Sequence, residues 1–199
     1  GAAPLKLERT TSEAERGPGA MKGYWNVMAT SLGGHRDALL RRLNEFGDFE
    51  PSDHPNVVLG RVDDTEDLME RLRENMVADP SLPSSLGRIV PTEIMVPFDA
   101  HDPVGSTRTA VQVVSRRIGG NSFHVRVDAR GWGRQLHAHD LELKLGEIAW
   151  DEISRRGYEP QVRFDDPEYV LMIEIVGAAA GISLVGRNHR LRFPFMKVS

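Results

Sequence analysis

Residues Phe123 to Arg130 constrain the fold more than any other part of the sequence. Four apolar side chains alternate there with four polar ones, in the order Phe-His-Val-Arg-Val-Asp-Ala-Arg. Successive side chains of a β-strand point to opposite faces of the sheet, so the pattern predicts a strand with one buried and one polar face. Arg126 and Arg130 would then share the polar face.

The first half of the chain has the pattern strand, helix, strand, helix, strand. Apolar runs at residues 24–30 and 56–62 predict the first two strands. The second helix is predicted to begin at Asp64 or Thr65, where a side-chain oxygen can accept from free backbone N–H groups. Residues 88–98 are extended but contain two prolines, which indicates a sheet edge or a bulge. With antiparallel pairing and a split middle strand, this order predicts a ferredoxin-like α+β unit.

The second half is predicted to run helix, strand, helix and three further strands. Its long helix starts near His139, and the nearly unbroken apolar run from Tyr169 to Val176 is typical of a strand covered on both faces. We therefore expect three parts. They are a disordered leader or expression remnant at residues 1–20, a ferredoxin-like domain at 21–100 and a second domain at 101–199.

Composition narrows the function classes. The 199 residues include no cysteine, which excludes disulfides, thiolate nucleophiles and cysteine metal sites. No apolar stretch reaches the roughly 20 residues that cross a bilayer, so we expect a soluble cytoplasmic protein. Phosphate-binding, dinucleotide-binding, serine-nucleophile and zinc-protease motifs are also missing. The sequence therefore predicts no cofactor and no catalytic residue.

The net charge of −4 hides two basic blocks in the second half. Residues 108–134 hold six arginines against one acid, Asp128, and residues 181–199 hold four cations and no acid. Arginine forks match phosphate geometry, and an exposed aromatic or imidazole ring can stack on a base. The blocks favour a polyanion site, although Arg126 could instead pair with Asp128 or Glu174 inside the sheet and Trp132 could fill the core.

A metal or acid-base centre is the alternative interpretation. His137 and His139 are two residues apart and could reach one ion from an extended segment. Glu174 lies in the apolar strand, where burial would raise its pKa and suit a general acid. The simpler interpretation is that the histidines belong to a polar loop and that Glu174 forms an ion pair.

The second half resembles a THUMP domain, an RNA-binding module of tRNA-modifying proteins. The similarity lies in Ser122–Ile153 and Val162–Arg187. It comprises an arginine-bearing strand, a basic loop, the Leu145-Gly146 step, the Asp166-Pro167-Glu168 turn and the strand with Glu174. A ferredoxin-like unit ahead of such a domain is also usual in these proteins. The resemblance thus implies an α+β protein in which a ferredoxin-like unit precedes a THUMP α/β domain.

The chain ends at Ser199, whereas many relatives continue into a catalytic domain, and Asn26–Leu40 resembles the adaptor of a tRNA cytidine acetyltransferase. We therefore expect a non-catalytic adaptor, not an enzyme, that presents tRNA to a modifying enzyme such as an acetyltransferase. The alternative is a metal-dependent or small-molecule enzyme on a ferredoxin-like scaffold, centred on His137, His139 and Glu174. The resemblance and the basic blocks together imply ten RNA-binding candidates: Arg126, Arg130, Trp132, Arg134, His137, Lys144, Arg187, Arg190, Arg192 and Lys197.

Overall fold

A computed structural model describes residues 23–198, and the leader expected at residues 1–20 lies outside that range. The described chain contains two sheets with helices packed on them, which confirms the α+β class. None of the helices in this range combines the length and apolar character needed to span a membrane.

The first sheet has four antiparallel strands in the order β2-β3-β1-β4. Its strands are β1 (Val27–Ser31), β2 (Asp48–Pro51), β3 (Val57–Arg61) and β4 (Leu86–Pro91). The helices of this part are α1 (Arg36–Leu43), α2 (Thr65–Ala78) and the short α3 (Ser81–Ser85). At the start of α2 the Asp64 side chain accepts from the N–H groups of Glu66 and Asp67, as the sequence predicts.

The second sheet has five strands in the order β5-β9-β8-β6-β7. Its strands are β5 (Ile94–Pro97), β6 (Ser122–Arg130), β7 (Gln161–Val162), β8 (Tyr169–Val176) and β9 (Ala179–Gly186). The helices are α4 (Pro103–Ser115), α5 (Ala138–Arg155) and α6 (Arg187–Arg192). The central strand β8 is parallel to β6 and antiparallel to β9, and its residues from Val170 to Val176 are all buried.

The extended segment at residues 88–98 is divided between the two sheets. β4 pairs with β1, whereas β5 pairs with β9 of the second sheet. The chain crosses between them at Thr92 and Glu93, whose N–H groups donate to Asn26 and Ile182 respectively. Each segment is an edge strand, which suits the prolines at their ends. The domain boundary near residue 100 stays a prediction, although sheet membership already changes after Pro91.

The second sheet is packed on both faces. On one face, β6 and β8 contribute Phe123, Val125 and Ile173 to a core shared with α4 and α5. On the other face, Val170 and Met172 join the core of the first sheet, together with residues from the C-terminal end of the chain. The polar face of β6 is therefore turned toward the first sheet, where it meets β4.

Candidate nucleic-acid interface

The polar face of β6 lies against β4 and carries a buried network of charges. Arg88 of β4 donates to Asp128 at 2.5 Å and also to Glu174 on β8, which is only 2% exposed. Arg130 pairs with Asp128 from the other side. Burial raises the pKa of Glu174 to about 8, because the cost of desolvating its carboxylate exceeds the attraction of Arg88. This network joins the two sheets, and within it the guanidinium group of Arg130 is already paired with Asp128.

A polar cleft of about 330 Å³ opens beside this network. It lies between β4, β6 and the C-terminal residues, and its charged lining consists of Arg88, Arg126, Asp128 and Lys197. The side chains of Arg126 and Lys197 are exposed and form no hydrogen bond or ion pair with any residue from 23 to 198. Three cations thus face one carboxylate in the cleft, and two of them have their charge available for an anion. Arg126 and Lys197 are far apart in the sequence, and the fold brings them together in this cleft.

The loop after β6 has a structural aromatic residue and a free cation. Trp132 donates its indole N–H to the carbonyl of Gly177 at 2.8 Å and packs edge-on against Phe98. Its ring therefore belongs to the packing of the loop, as in the alternative interpretation from the sequence. Arg134 follows in a short 3-10 turn and is exposed, and within the described range its side chain is unpartnered.

His137 and Lys144 are exposed on the α5 side of the second sheet. His137 occupies the N-cap position of α5 but makes no capping hydrogen bond with its side chain. Lys144 lies about two turns further along α5. Both residues are available to a ligand, but α5 covers the face of the sheet opposite to the cleft.

The three arginines of α6 are held by internal contacts. Arg187 pairs with Asp166 at 3.1 Å, and Arg192 pairs with Glu70 of α2. Arg190 is largely buried and donates to the carbonyls of Val185 and Pro167 at 2.9 and 2.5 Å. The side-chain N–H groups of these three arginines are therefore already engaged in contacts within the protein.

Arg130 and the arginines of α6 lie at opposite ends of the second sheet. Gly186, just before α6, pairs with Tyr169, whereas Arg130 pairs with Val176 at the other end of β8. Seven residues of strand separate the two positions, which is about 23 Å at a rise of about 3.3 Å per residue. The structure therefore divides the ten candidates between surfaces and leaves the cleft as the place where free cations converge.

The proposed metal centre is not assembled. His139 lies on α5 and pairs with Glu142 at 3.5 Å, while Glu174 is on the opposite face of the sheet, paired with Arg88. Across residues 23–198 the structure shows no group of three metal-ligating side chains. The geometry gives the metal-enzyme alternative no support.

Arg88 is the residue of the cleft that sequence reasoning missed. It stands in an otherwise apolar edge strand, Leu-Gly-Arg-Ile-Val-Pro, and an isolated charge in such a strand was the available signal. Its partners are 40 and 86 positions away along the chain, so no local sequence pattern could identify them.

No model of a protein family matches the chain, and no curated protein matches it either. Solved structures do. TrmN from Thermus thermophilus is similar with a TM-score of 0.58 and 18% identity, over 81% of this chain and 45% of that one. The fold is THUMP-like. A 4-thiouridine synthetase in complex with RNA and bound ATP matches at a TM-score of 0.52 and 15% identity, over 82% of this chain and 42% of the synthetase.

A third similar structure is a putative methyltransferase complexed with SAH, with a TM-score of 0.52 and 15% identity over 82% of this chain and 42% of that one. The chain thus spans less than half the length of each of these three proteins.

These comparisons correct the expectation of a non-catalytic adaptor and of a protein that is not an enzyme. That expectation depended on the chain ending at Ser199, but the similar structures include longer proteins named as methyltransferases or methylases. They give no support to an acetyltransferase adaptor or to a separate modifying enzyme as partner. The position of the last residue is therefore no guide to whether the protein is catalytic.

Proposed function

We propose that this chain is the RNA-binding part of an RNA-modifying enzyme and that its substrate class is tRNA. The observation that carries the proposal is the cleft in which Arg126 and Lys197 lie unpaired beside Arg88. Guanidinium and ammonium groups bind phosphate oxygens, and such contacts orient an RNA without reading its bases. A THUMP-like fold, and a neighbour whose structure includes RNA, support an RNA ligand for this cleft.

The finer structural assignments belong to the same proposal. The element order β-α-β-β-α-β and the sheet order β2-β3-β1-β4 favour a ferredoxin-like unit at residues 21–100. A THUMP domain would follow at residues 101–199, with β5 contributed by the connecting segment. A cytoplasmic location fits a protein that acts on tRNA.

Under this proposal, the availability of their charge orders the RNA-binding candidates. Arg126 and Lys197 come first, because they are exposed, unpaired in the described range and next to each other in the cleft. Arg134, His137 and Lys144 are also exposed and unpaired in that range but lie outside the cleft. Arg130 and the arginines of α6 must break internal contacts before they can bind a phosphate. Trp132 is expected to position the loop that carries Arg134.

Salt-dependent tRNA binding tests the cleft directly. Each lost phosphate contact should lower the slope of log affinity against log salt by about 1. We expect this change for Arg126→Ala and for Lys197→Ala, and a change of about 2 for the double variant. The measurement is a filter-binding or fluorescence titration of unmodified tRNA at four salt concentrations.

Arg108→Ala is the matched control, since Arg108 is an exposed, unpaired arginine on α4, on the other side of the second sheet. It removes the same charge and should leave the slope unchanged. Equal slopes for all the single variants would mean that binding is a diffuse electrostatic attraction, and the cleft would lose its assignment.

A further inference from the structure

An apolar groove of about 450 Å³ lies along α5 and around the open edge of the second sheet. It runs between α5 and the edge of the sheet formed by β6 and β7. One stripe of α5, including Leu141 and Leu145, packs into the core, and a second stripe with Leu143, Gly146 and Trp150 lines the groove. We call this surface the α5 groove. Its complete lining is Phe123, His124, Val125, His139, Glu142, Leu143, Gly146, Glu147, Trp150, Asp151, Val162 and Phe164.

The α5 groove concentrates exposed apolar side chains. Leu143, Trp150, Val162 and Phe164 are between 43% and 76% exposed, and they are four of the ten large apolar residues exposed between residues 23 and 198. Isolated apolar residues are normal on a protein surface, whereas a contiguous group of them marks an interaction site. The short strand β7 leaves this part of the sheet edge open, since it pairs only with Ser122 and Phe123 of β6.

A buried histidine in the groove has an unused nitrogen. His124 is 4% exposed, and its Nδ1 lies 3.2 Å from the carbonyl oxygen of Arg163. A carbonyl can only accept, so Nδ1 carries the proton and Nε2 of the neutral ring is an acceptor. Nε2 is buried and has no partner in the described chain. The imidazole also stacks on Phe164, which fixes its plane.

The other polar groups of the groove are acceptors except His139, which pairs with Glu142 at 3.5 Å. Glu147 and Asp151 lie one turn apart on α5, and no cation of the described range pairs with either of their carboxylates. Glu142 already accepts from the N–H of Val127 at 3.0 Å. A ligand that suits this groove therefore brings hydrogen-bond donors and positive charge around an apolar body, which disfavours a polyanion.

We propose that the α5 groove binds a basic protein segment that inserts a Trp or Tyr side chain. The aromatic ring packs between Trp150 and Phe164, and its N–H or O–H donates to Nε2 of His124. Lys or Arg residues beside the anchor pair with Glu147 and Asp151. An aromatic anchor buries 150–250 Å² and satisfies a polar partner at one end, which is the combination that this groove offers.

Tryptamine is the minimal probe, because it joins an indole N–H to an ammonium group. Titration of the complete ¹⁵N-labelled chain should shift the amide signals of Gly146 and Trp150 on α5. Indole-3-propionate keeps the ring but reverses the charge, and it should bind about tenfold more weakly, since two exposed carboxylates repel it. Equal affinity for the two probes would overturn the charge argument.

The role of His124 is tested with 1-methyltryptamine, which lacks the indole N–H. The wild type should bind tryptamine several-fold more tightly than the methylated probe, because only tryptamine can donate to Nε2. The variant His124→Phe should bind the two equally. A preference that survives in this variant would remove His124 from the site.

Gly146→Leu tests the groove without weakening the helix. A Cβ at Gly146 would meet only Val125, at 4.0 Å, and leucine is the better helix former. The variant should fill the groove and abolish binding of tryptamine. Leu191→Ala is the matched control, since Leu191 is 74% exposed on α6 and lies outside the groove. Retained binding in Gly146→Leu would place the probe elsewhere.

A peptide distinguishes a protein segment from other ligands. A twelve-residue peptide with one central Trp flanked by lysines should bind at least tenfold more tightly than tryptamine, and replacement of its Trp by Ala should abolish binding. No gain over tryptamine would make the groove a small-molecule site. Stronger shifts from a short single-stranded RNA would make it an RNA site. Either result would overturn the proposal.

Discussion

Replacing Glu174 by glutamine tests whether the buried carboxyl between the two sheets is neutral. Glu174 is 2% exposed and accepts from Arg88, and burial raises its pKa from the ordinary 4.5 to about 8. A glutamine has the same shape and can still accept from Arg88, but it cannot ionise. The variant therefore removes the titration and leaves most contacts in place.

The magnitude follows from the difference between the folded and unfolded pKa values. Between pH 4.5 and about 8 the folded protein keeps a proton on Glu174 that the unfolded chain releases. The free energy of unfolding of the wild type should therefore fall by about 1.4 kcal/mol for each pH unit in this window, and by about 5 kcal/mol across it. This stability is complete below pH 4.5 and lost as the pH rises to about 8.

Urea unfolding of wild type and Glu174→Gln at pH 5, 6, 7 and 8 and constant ionic strength measures the difference. The two proteins should be similar at pH 5, and the variant should become the more stable one by several kcal/mol at pH 8. Glu147→Gln, at an exposed position on α5, is the control and should follow the wild type. Parallel curves for Glu174→Gln and the wild type would show that Arg88 keeps the carboxylate ionised, and the desolvation argument would be refuted.

Two further predictions concern the junction of the sheets and the reaction. Gly131 has a φ of +100°, and a Cβ there would lie 2.7 Å from Cε1 of His54, so Gly131→Ala should lower the free energy of unfolding by about 2 kcal/mol. Gly33→Ala, with open space around it, is the control, and an unchanged denaturation midpoint for Gly131→Ala would contradict the close approach. On the function proposed above, Arg126→Ala should reduce kcat/KM for tRNA when the protein is purified from its own cells. An unchanged kcat/KM would contradict a role for the cleft in binding tRNA.

The elements that the sequence predicted well are those whose signals are local. The alternation of β6 and the apolar run of β8 reflect their own packing, and the cap at Asp64 depends on N–H groups two and three residues away. The division of residues 88–98 between two sheets was not predictable in this way. Each half reads as an extended edge segment, and only the pairing with distant β1 and β9 separates them.

The candidate site was harder to predict, because partners that are distant in the sequence decide which cations are paired and which are free to bind a ligand. Arg192 pairs with Glu70, which is 122 positions away, and Arg187 pairs with Asp166. The arginines of α6 have no acidic residue close to them in the sequence, yet in the folded chain they form ion pairs and hydrogen bonds within the protein. Sequence counts measure charge, whereas binding depends on charge that the fold leaves unpaired.

The second sheet separates the two surfaces for which we propose ligands. The cleft with Arg126 and Lys197 lies on the face turned toward β4, whereas the α5 groove with Glu147 and Asp151 lies beside α5. Their charges are opposite, so the anion that suits the cleft is repelled by the groove, and the cation that suits the groove is repelled by the cleft. Because the surfaces share no lining residue, an RNA and a basic protein segment can be held at the same time.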